Sequence, residues 1–175
     1  MGISYLNLRP EIRRLMVDEI RAGNHYVSPR LSVEGRLKWP TLLEEAAANL
    51  DDDWLAEQLL GLNFVQPQES YVRKETQRIR KVNQPQAAEQ LAEGEFNRYY
   101  LRALCLHAAT LGIGHLIVYR GKAVHSPRPE SEAKIGTAVD VGTLLKELRR
   151  NEFVMIGEVL GVPGGPNSGI TCKLP

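Results

Sequence analysis

One stretch, from Gln84 to Val124, constrains what this chain can fold into more than any other. Phe96, Tyr99, Tyr100, Ala103, Leu104, His107, Ala108 and Leu111 recur at helical spacing and line one broad face, so a long helix is expected from Gln84 to Leu111. Pro85 suits its first turn. Gly94 is its weak point, costing roughly 1 kcal/mol against alanine. Gly112 and Gly114 break the helix, and the branched, apolar run from His115 to Val124 reads as a strand. Helix, glycine turn and strand together imply a mixed fold.

The flanking segments extend that reading. Pro10 opens a first helix that carries Ile12, Leu15, Met16 and Ile20 and ends at Gly23-Asn24. Ser28-Pro29 and Trp39-Pro40 bracket a connecting segment containing Gly35, and a second helix is expected from about Thr41 to Asn49. Asp51-Asp52-Asp53 caps a third from Trp54 to Leu60, since carboxylates favour helix N-termini. Ser126 to Glu132, with prolines at 127 and 129, is expected to be loop. Val139 to Arg150 is an amphipathic helix, with Asp140 as a cap at its start. Phe153 to Leu160 is short helix or strand, Gly161 to Gly169 a long turn, and Ile170 to Leu174 a closing strand. That strand pairs with the His115 strand or with the Tyr71 to Val82 segment. The fold class is α+β: residues 1–66 form a helical portion, and residues 67–175 a small sheet packed by the long helix and the C-terminal amphipathic helix. At 175 residues the two portions suit one compact unit.

The totals exclude more than they assign. A formal net charge of +1 gives no whole-molecule pull toward nucleic acid or anionic membrane, so any such binding needs a local patch. Cys105 and Cys172 make no disulfide framework and read as two buried thiols. No positive segment precedes an apolar run at the start, Leu6 stands where a myristoylation motif needs Ser or Thr, and no run approaches eighteen apolar residues. A soluble protein made in a cytoplasm is expected.

Motifs for chemistry are weak. The glycine-rich turn lacks the Lys-Ser/Thr ending of a phosphate-binding loop and leads into a strand. His25, His107, His115 and His125 are scattered, and Cys105 and His107 fall on different helix faces, so no metal ligand set is expected. Ser168 lacks the nucleophile elbow. Glu130, Glu132 and Lys134 are similar to the carboxylate-x-lysine element of Mg²⁺-dependent nucleases, but they follow a proline-bracketed loop and have no partner Asp on a preceding strand. No catalytic residue, cofactor or metal is assigned.

Two charged groups stand out as candidate sites. The segment with Tyr71, Arg73, Lys74, Arg78, Arg80 and Lys81 reads as an extended arm or exposed strand. It is a guarded edge strand, a contact onto a neighbouring subunit, or a phosphate-binding surface. Arg98, Arg102, Arg120, Arg128, Glu130 and Glu132 are candidates for a charged network between helix, strand and loop.

Three segments resemble uncharacterised proteins encoded among the structural genes of tailed bacteriophages and prophages. They are Glu93-Gly94-Glu95-Phe96-Asn97-Arg98-Tyr99-Tyr100; Val118-Tyr119-Arg120 with Pro127-Arg128-Pro129-Glu130-Ser131-Glu132; and Gly165-Pro166-Asn167-Ser168-Gly169. The resemblance covers the C-terminal half. It implies a virion component, such as a head, connector or head–tail joining protein, made in a bacterial host cytoplasm and incorporated in the particle. Its partners would be copies of itself or other virion proteins. It assigns no binding residue. The expected function is therefore a non-enzymatic assembly protein, with a metal-dependent nuclease or a non-catalytic nucleic-acid binder as the alternatives.

Overall fold

A computed structural model describes residues 2–23, 25–150, 156–161 and 169–175. Parts of three expectations lie outside the described residues: the stop at Asn24, the start of the Phe153 segment, and most of the glycine-rich turn, including Ser168. The fold is α+β, built on helices α1 (Pro10–Arg21), α2 (Val33–Asn49) and α3 (Asp52–Gly61), strands β1 (Gln68–Arg73) and β2 (Thr76–Lys81), and the long helix α4 (Gln84–Thr110). Strand β3 (His115–Arg120), helix α5 (Pro129–Glu132), strand β4 (Ala138–Asp140), helices α6 (Val141–Leu148) and α7 (Ile156–Val159) and strand β5 (Ile170–Lys173) complete it. The strands form an antiparallel β1–β2 pair and a three-stranded antiparallel sheet in the order β4-β3-β5. One apolar cluster runs through residues of both portions, from Ile12 and Trp39 to Val118 and Cys172.

Helix α4 is the axis of that core, and its burial exceeds the one face read from spacing. Phe96, Tyr99, Tyr100, Leu101, Ala103, Leu104 and Cys105 are fully buried, and so, nearly, are the polar Glu93, Glu95, Asn97, Arg98 and Arg102. Leu111, placed on the apolar face by spacing, is exposed just past the helix end. A helix buried all round must hydrogen-bond its polar side chains internally. The bonds of Asn97, Tyr100 and Arg102 reach the neighbouring elements.

Among the N-terminal helices, α2 departs most from expectation. Helix α2 starts at Val33, eight residues before Thr41, and continues through Pro40. Proline in a helix interior costs about 3 kcal/mol or more. Three contacts offset it. Ser32 Oγ accepts the Gly35 amide at 3.0 Å as the cap. Trp39 is fully buried and its Nε1 donates to the Tyr26 carbonyl at 2.9 Å. Gly35 packs so closely that an added Cβ would stand 2.8 Å from the Phe64 carbonyl oxygen. Arg13 closes the far end of α2, donating to the carbonyls of Ala47 and Leu50 at 2.8 Å each.

The expected cap at Asp51 is present, its carboxylate accepting from Trp54 N at 2.9 Å. Asp52 and Asp53 do something else: they accept the amides of Ile3 (3.0 Å) and Gly2 (2.7 Å). Residues 2–8 thereby run as a strap from α3 across α4 to the sheet. Ser4 N donates to the Gly121 carbonyl, and Asn7 Oδ1 accepts Leu174 N at 3.0 Å. Tyr5 lies against the rings of Phe96 and Tyr100, with centroids at 5.1 and 4.7 Å.

The C-terminal half needs smaller corrections. Ser126 to Glu132 is not all loop, because Pro129 opens the short helix α5 at the position where its missing N–H costs nothing. Val139 and Asp140 belong to β4, and Asp140 then caps α6 through Thr143 N at 2.7 Å. The closing strand β5 pairs with β3, leaving the β1–β2 hairpin by itself.

Candidate functional site

The six residues Tyr71, Arg73, Lys74, Arg78, Arg80 and Lys81 come together on the β1–β2 hairpin. Its two-residue turn, Lys74-Glu75, takes φ of 49° and 62°, the left-handed pair that a tight hairpin turn requires. Directly opposed residues share a face in an antiparallel pair. The register therefore puts Glu69, Tyr71 and Arg73 with Arg80, Arg78 and Thr76 on one face. Gln68, Ser70 and Val72 share the other with Lys81, Ile79 and Gln77. One face is cationic and aromatic. The other exposes Val72 and Ile79, at 73% and 70% of their surface.

Charge is concentrated here. Residues 68–81 hold five cations and two carboxylates in a chain of net charge +1, so the remainder is net acidic. Arg80 is held: its Nε donates to Glu69 Oε1 at 2.6 Å, and its guanidinium lies 5.1 Å from the Tyr71 ring centroid. Arg30 grips the same carboxylate from the bundle side, Nε to Oε2 at 2.7 Å, tying the hairpin base to the body. The Arg30 guanidinium first, and Arg80 with it, hold Glu69 below the ordinary carboxylate range. Among the described residues, Arg73, Lys74, Arg78 and Lys81 have no carboxylate partner, whereas Arg21, Lys122 and Arg149 each do.

The second candidate group does not form one network. Arg120 and Glu132 pair at 2.5 Å beside the sheet, near Arg128, the N-cap residue of α5, and the exposed Glu130. Arg98 and Arg102 lie elsewhere, buried on α4. Arg98 is 3.3 Å from Glu95. Arg102 donates through two nitrogens to the Leu148 carbonyl, at 3.0 and 2.6 Å, closing α6 as Arg13 closes α2. Its guanidinium also sits 4.8 Å from the Tyr99 ring centroid and 4.0 Å from Glu19, which pairs with Arg149 as well. Burial raises the Glu95 carboxyl against the pull of Arg98 and Arg102, and raises the Tyr99 hydroxyl to about 12.

Glu132 is thus engaged by Arg120, and Lys134 lies near Gly161. No group of three His, Cys, Asp or Glu side chains able to hold a metal occurs among the described residues. Cys105 and Cys172 are buried free thiols, both raised to about 12 by burial. Among the described residues no helix is long and apolar enough to cross a membrane.

Sequence reasoning missed what Asn97 and Tyr100 do. Asn97 Nδ2 donates to the Ile170 carbonyl at 3.1 Å and its Oδ1 accepts Thr171 Oγ1 at 2.7 Å. Tyr100 Oη donates to the Cys172 carbonyl at 3.2 Å. These carbonyls belong to the edge of β5 that faces away from β3, so α4 side chains block that edge. The signal was a polar Asn between the aromatic residues Phe96 and Tyr99-Tyr100, on a helix expected to be central. Compared with known protein families, with curated proteins and with solved structures, the chain matches none.

Proposed function

We propose that this protein is a non-enzymatic assembly component that works by binding neighbouring protein chains, with the β1–β2 hairpin as its contact arm. One observation carries the reading: the hairpin stands apart from the three-stranded sheet, its apolar Val72 and Ile79 facing solvent. An isolated two-stranded hairpin is marginal in water, and a third strand or a packed face completes it. The resemblance of the α4 and α5 segments to proteins from phage structural gene clusters supports a virion as the setting.

The test is the solution mass of the purified protein, alone and with the products of neighbouring genes. It is repeated on a variant in which residues 70–79 are replaced by an Asn-Gly turn, which keeps the Glu69–Arg80 pair. Self-association or a heterocomplex lost in that variant supports the reading. A strict monomer that binds none of its neighbours sinks it. The four unpaired hairpin cations favour a second reading, a nucleic-acid contact, which predicts retention on DNA or RNA that weakens steeply with salt.

A further inference from the structure

Backbone register and charge define what a strand beside the hairpin must carry. Val82 N donates to the Pro67 carbonyl at 2.9 Å, which makes that pair a hydrogen-bonded one. Such pairs alternate along an antiparallel ladder, so Glu69/Arg80, Tyr71/Arg78 and Arg73/Thr76 also exchange bonds. The N–H and C=O groups of Gln77, Ile79 and Lys81 therefore point to the outer edge of β2. Among the described residues no strand lies beside that edge, and every side chain of β2 is exposed. The equivalent edge of β5 is closed by Asn97 and Tyr100. The protein closes the β5 edge and, among the described residues, leaves the β2 edge open.

We propose that the outer edge of β2 takes an added strand from a protein partner whose residues alternate carboxylate with branched apolar side chains. The proposal rests on the assembly reading and names its partner's chemistry. Main-chain bonds to Gln77, Ile79 and Lys81 would hold the strand. Its carboxylates would lie beside Arg78 and Arg80 on the cationic face. Its apolar residues would cover Ile79 on the other face, extending the strip begun by Val72. Nucleic acid would use the cations alone, leaving Val72, Ile79 and the edge amides in water. The same edge of a second copy fits poorly, because antiparallel overlap sets Arg78 and Arg80 against like charges.

The full chain, labelled for NMR, is titrated with a short synthetic peptide alternating glutamate and valine. The comparison probes are a peptide of the same composition with its glutamates and valines in separate blocks, a lysine–valine alternating peptide, and a DNA duplex. The alternating glutamate peptide is expected to bind about tenfold more tightly than the block peptide, slowing amide exchange at Gln77, Ile79 and Lys81. Gln77→Pro removes an outward N–H without touching the inner ladder and should abolish binding. Arg78→Glu should move the preference to the lysine peptide, a gain that misfolding would not produce. Equal binding of alternating and block peptides, or binding unchanged by Gln77→Pro, overturns the proposal. So does a duplex that binds more tightly than either peptide with the edge amides unprotected. If assembly needs the hairpin but survives Gln77→Pro, strand addition fails and the assembly function stands; if assembly ignores the hairpin, both fail.

Discussion

The two sheets of this protein treat the same backbone problem in opposite ways. At β5 the outward carbonyls of Ile170 and Cys172 are taken by Asn97 and Tyr100, Thr171 is bound by the same Asn97, and Ile170, Thr171 and Cys172 are all buried. At the hairpin, among the described residues, the outer edge has no such cover and four cations lack carboxylate partners, while Val72 and Ile79 face water. Strand edges invite pairing with other chains unless they are blocked. The contrast teaches that stability is concentrated around α4, while the hairpin is held to the body mainly at its base, through Glu69 and Arg30.

The largest effect that could break this contrast is at Asn97. Asn97→Ala would leave the Ile170 carbonyl and the Thr171 hydroxyl buried without their partner. Each orphaned group costs about 1–3 kcal/mol, so a total loss of about 3 kcal/mol is expected in urea unfolding. A loss under about 1 kcal/mol would mean the β5 edge does not depend on its cap.

Asp52 comes next, where the strap meets α3. Burial first, with Glu93 and Asp53 adding to it against the bond from Ile3 N, raises its carboxyl from 3.8 to about 6. The folded chain thus binds this proton more tightly than the unfolded chain. The Asp52 contribution to stability rises as pH falls through 6 and levels off near 3.8. Asp52→Asn keeps an acceptor for Ile3 N and removes the buried charge. Its stability should exceed that of the native chain by up to about 2 kcal/mol near neutral pH, with the gap closing toward acid. A gap that widens as pH falls would reverse the sign and the argument with it.

How much of this was legible in the sequence follows from the range of each interaction. Helix α4, the Asp51 and Asp140 caps and the closing strand rest on local spacing, and the structure has them where the residues placed them. The early start of α2 was hidden because Pro40 is a local stop signal, overridden by the burial of Trp39. The hairpin turn was hidden because Lys74 and Glu75 are not residues that advertise positive φ. The roles of Asn97, Arg102 and Asp52 depend on partners 73, 46 and 49 residues away, at Ile170, Leu148 and Ile3, and no local pattern carries that information. The same holds for the split of the Arg98-to-Glu132 group into a buried pair and a surface pair.

A smaller effect sharpens the view of α4 as the rigid side. Gly94 sits mid-helix, and a Cβ built there meets nothing within 4 Å. Gly94→Ala should therefore stabilise the protein by about 0.5–1 kcal/mol through the lost freedom of the unfolded chain. A destabilised variant would show that something covers this position in solution.

The smallest effect on stability carries the most weight for function. In the double variant Val72→Thr, Ile79→Thr both side chains keep β-branching, which preserves strand propensity, but lose their apolar ends. Both residues face water in the isolated chain, so unfolding free energy should change by no more than about 0.5 kcal/mol. If the hairpin is an arm that a partner completes, the same two changes should weaken assembly severalfold, because the apolar face is covered only in the complex. Asn97→Ala should do the reverse, lowering stability while leaving contact strength unchanged in the fraction that stays folded. A stability loss above about 1 kcal/mol in the threonine variant would mean that the hairpin packs against its own body, and the division between a closed edge and an open one would fall.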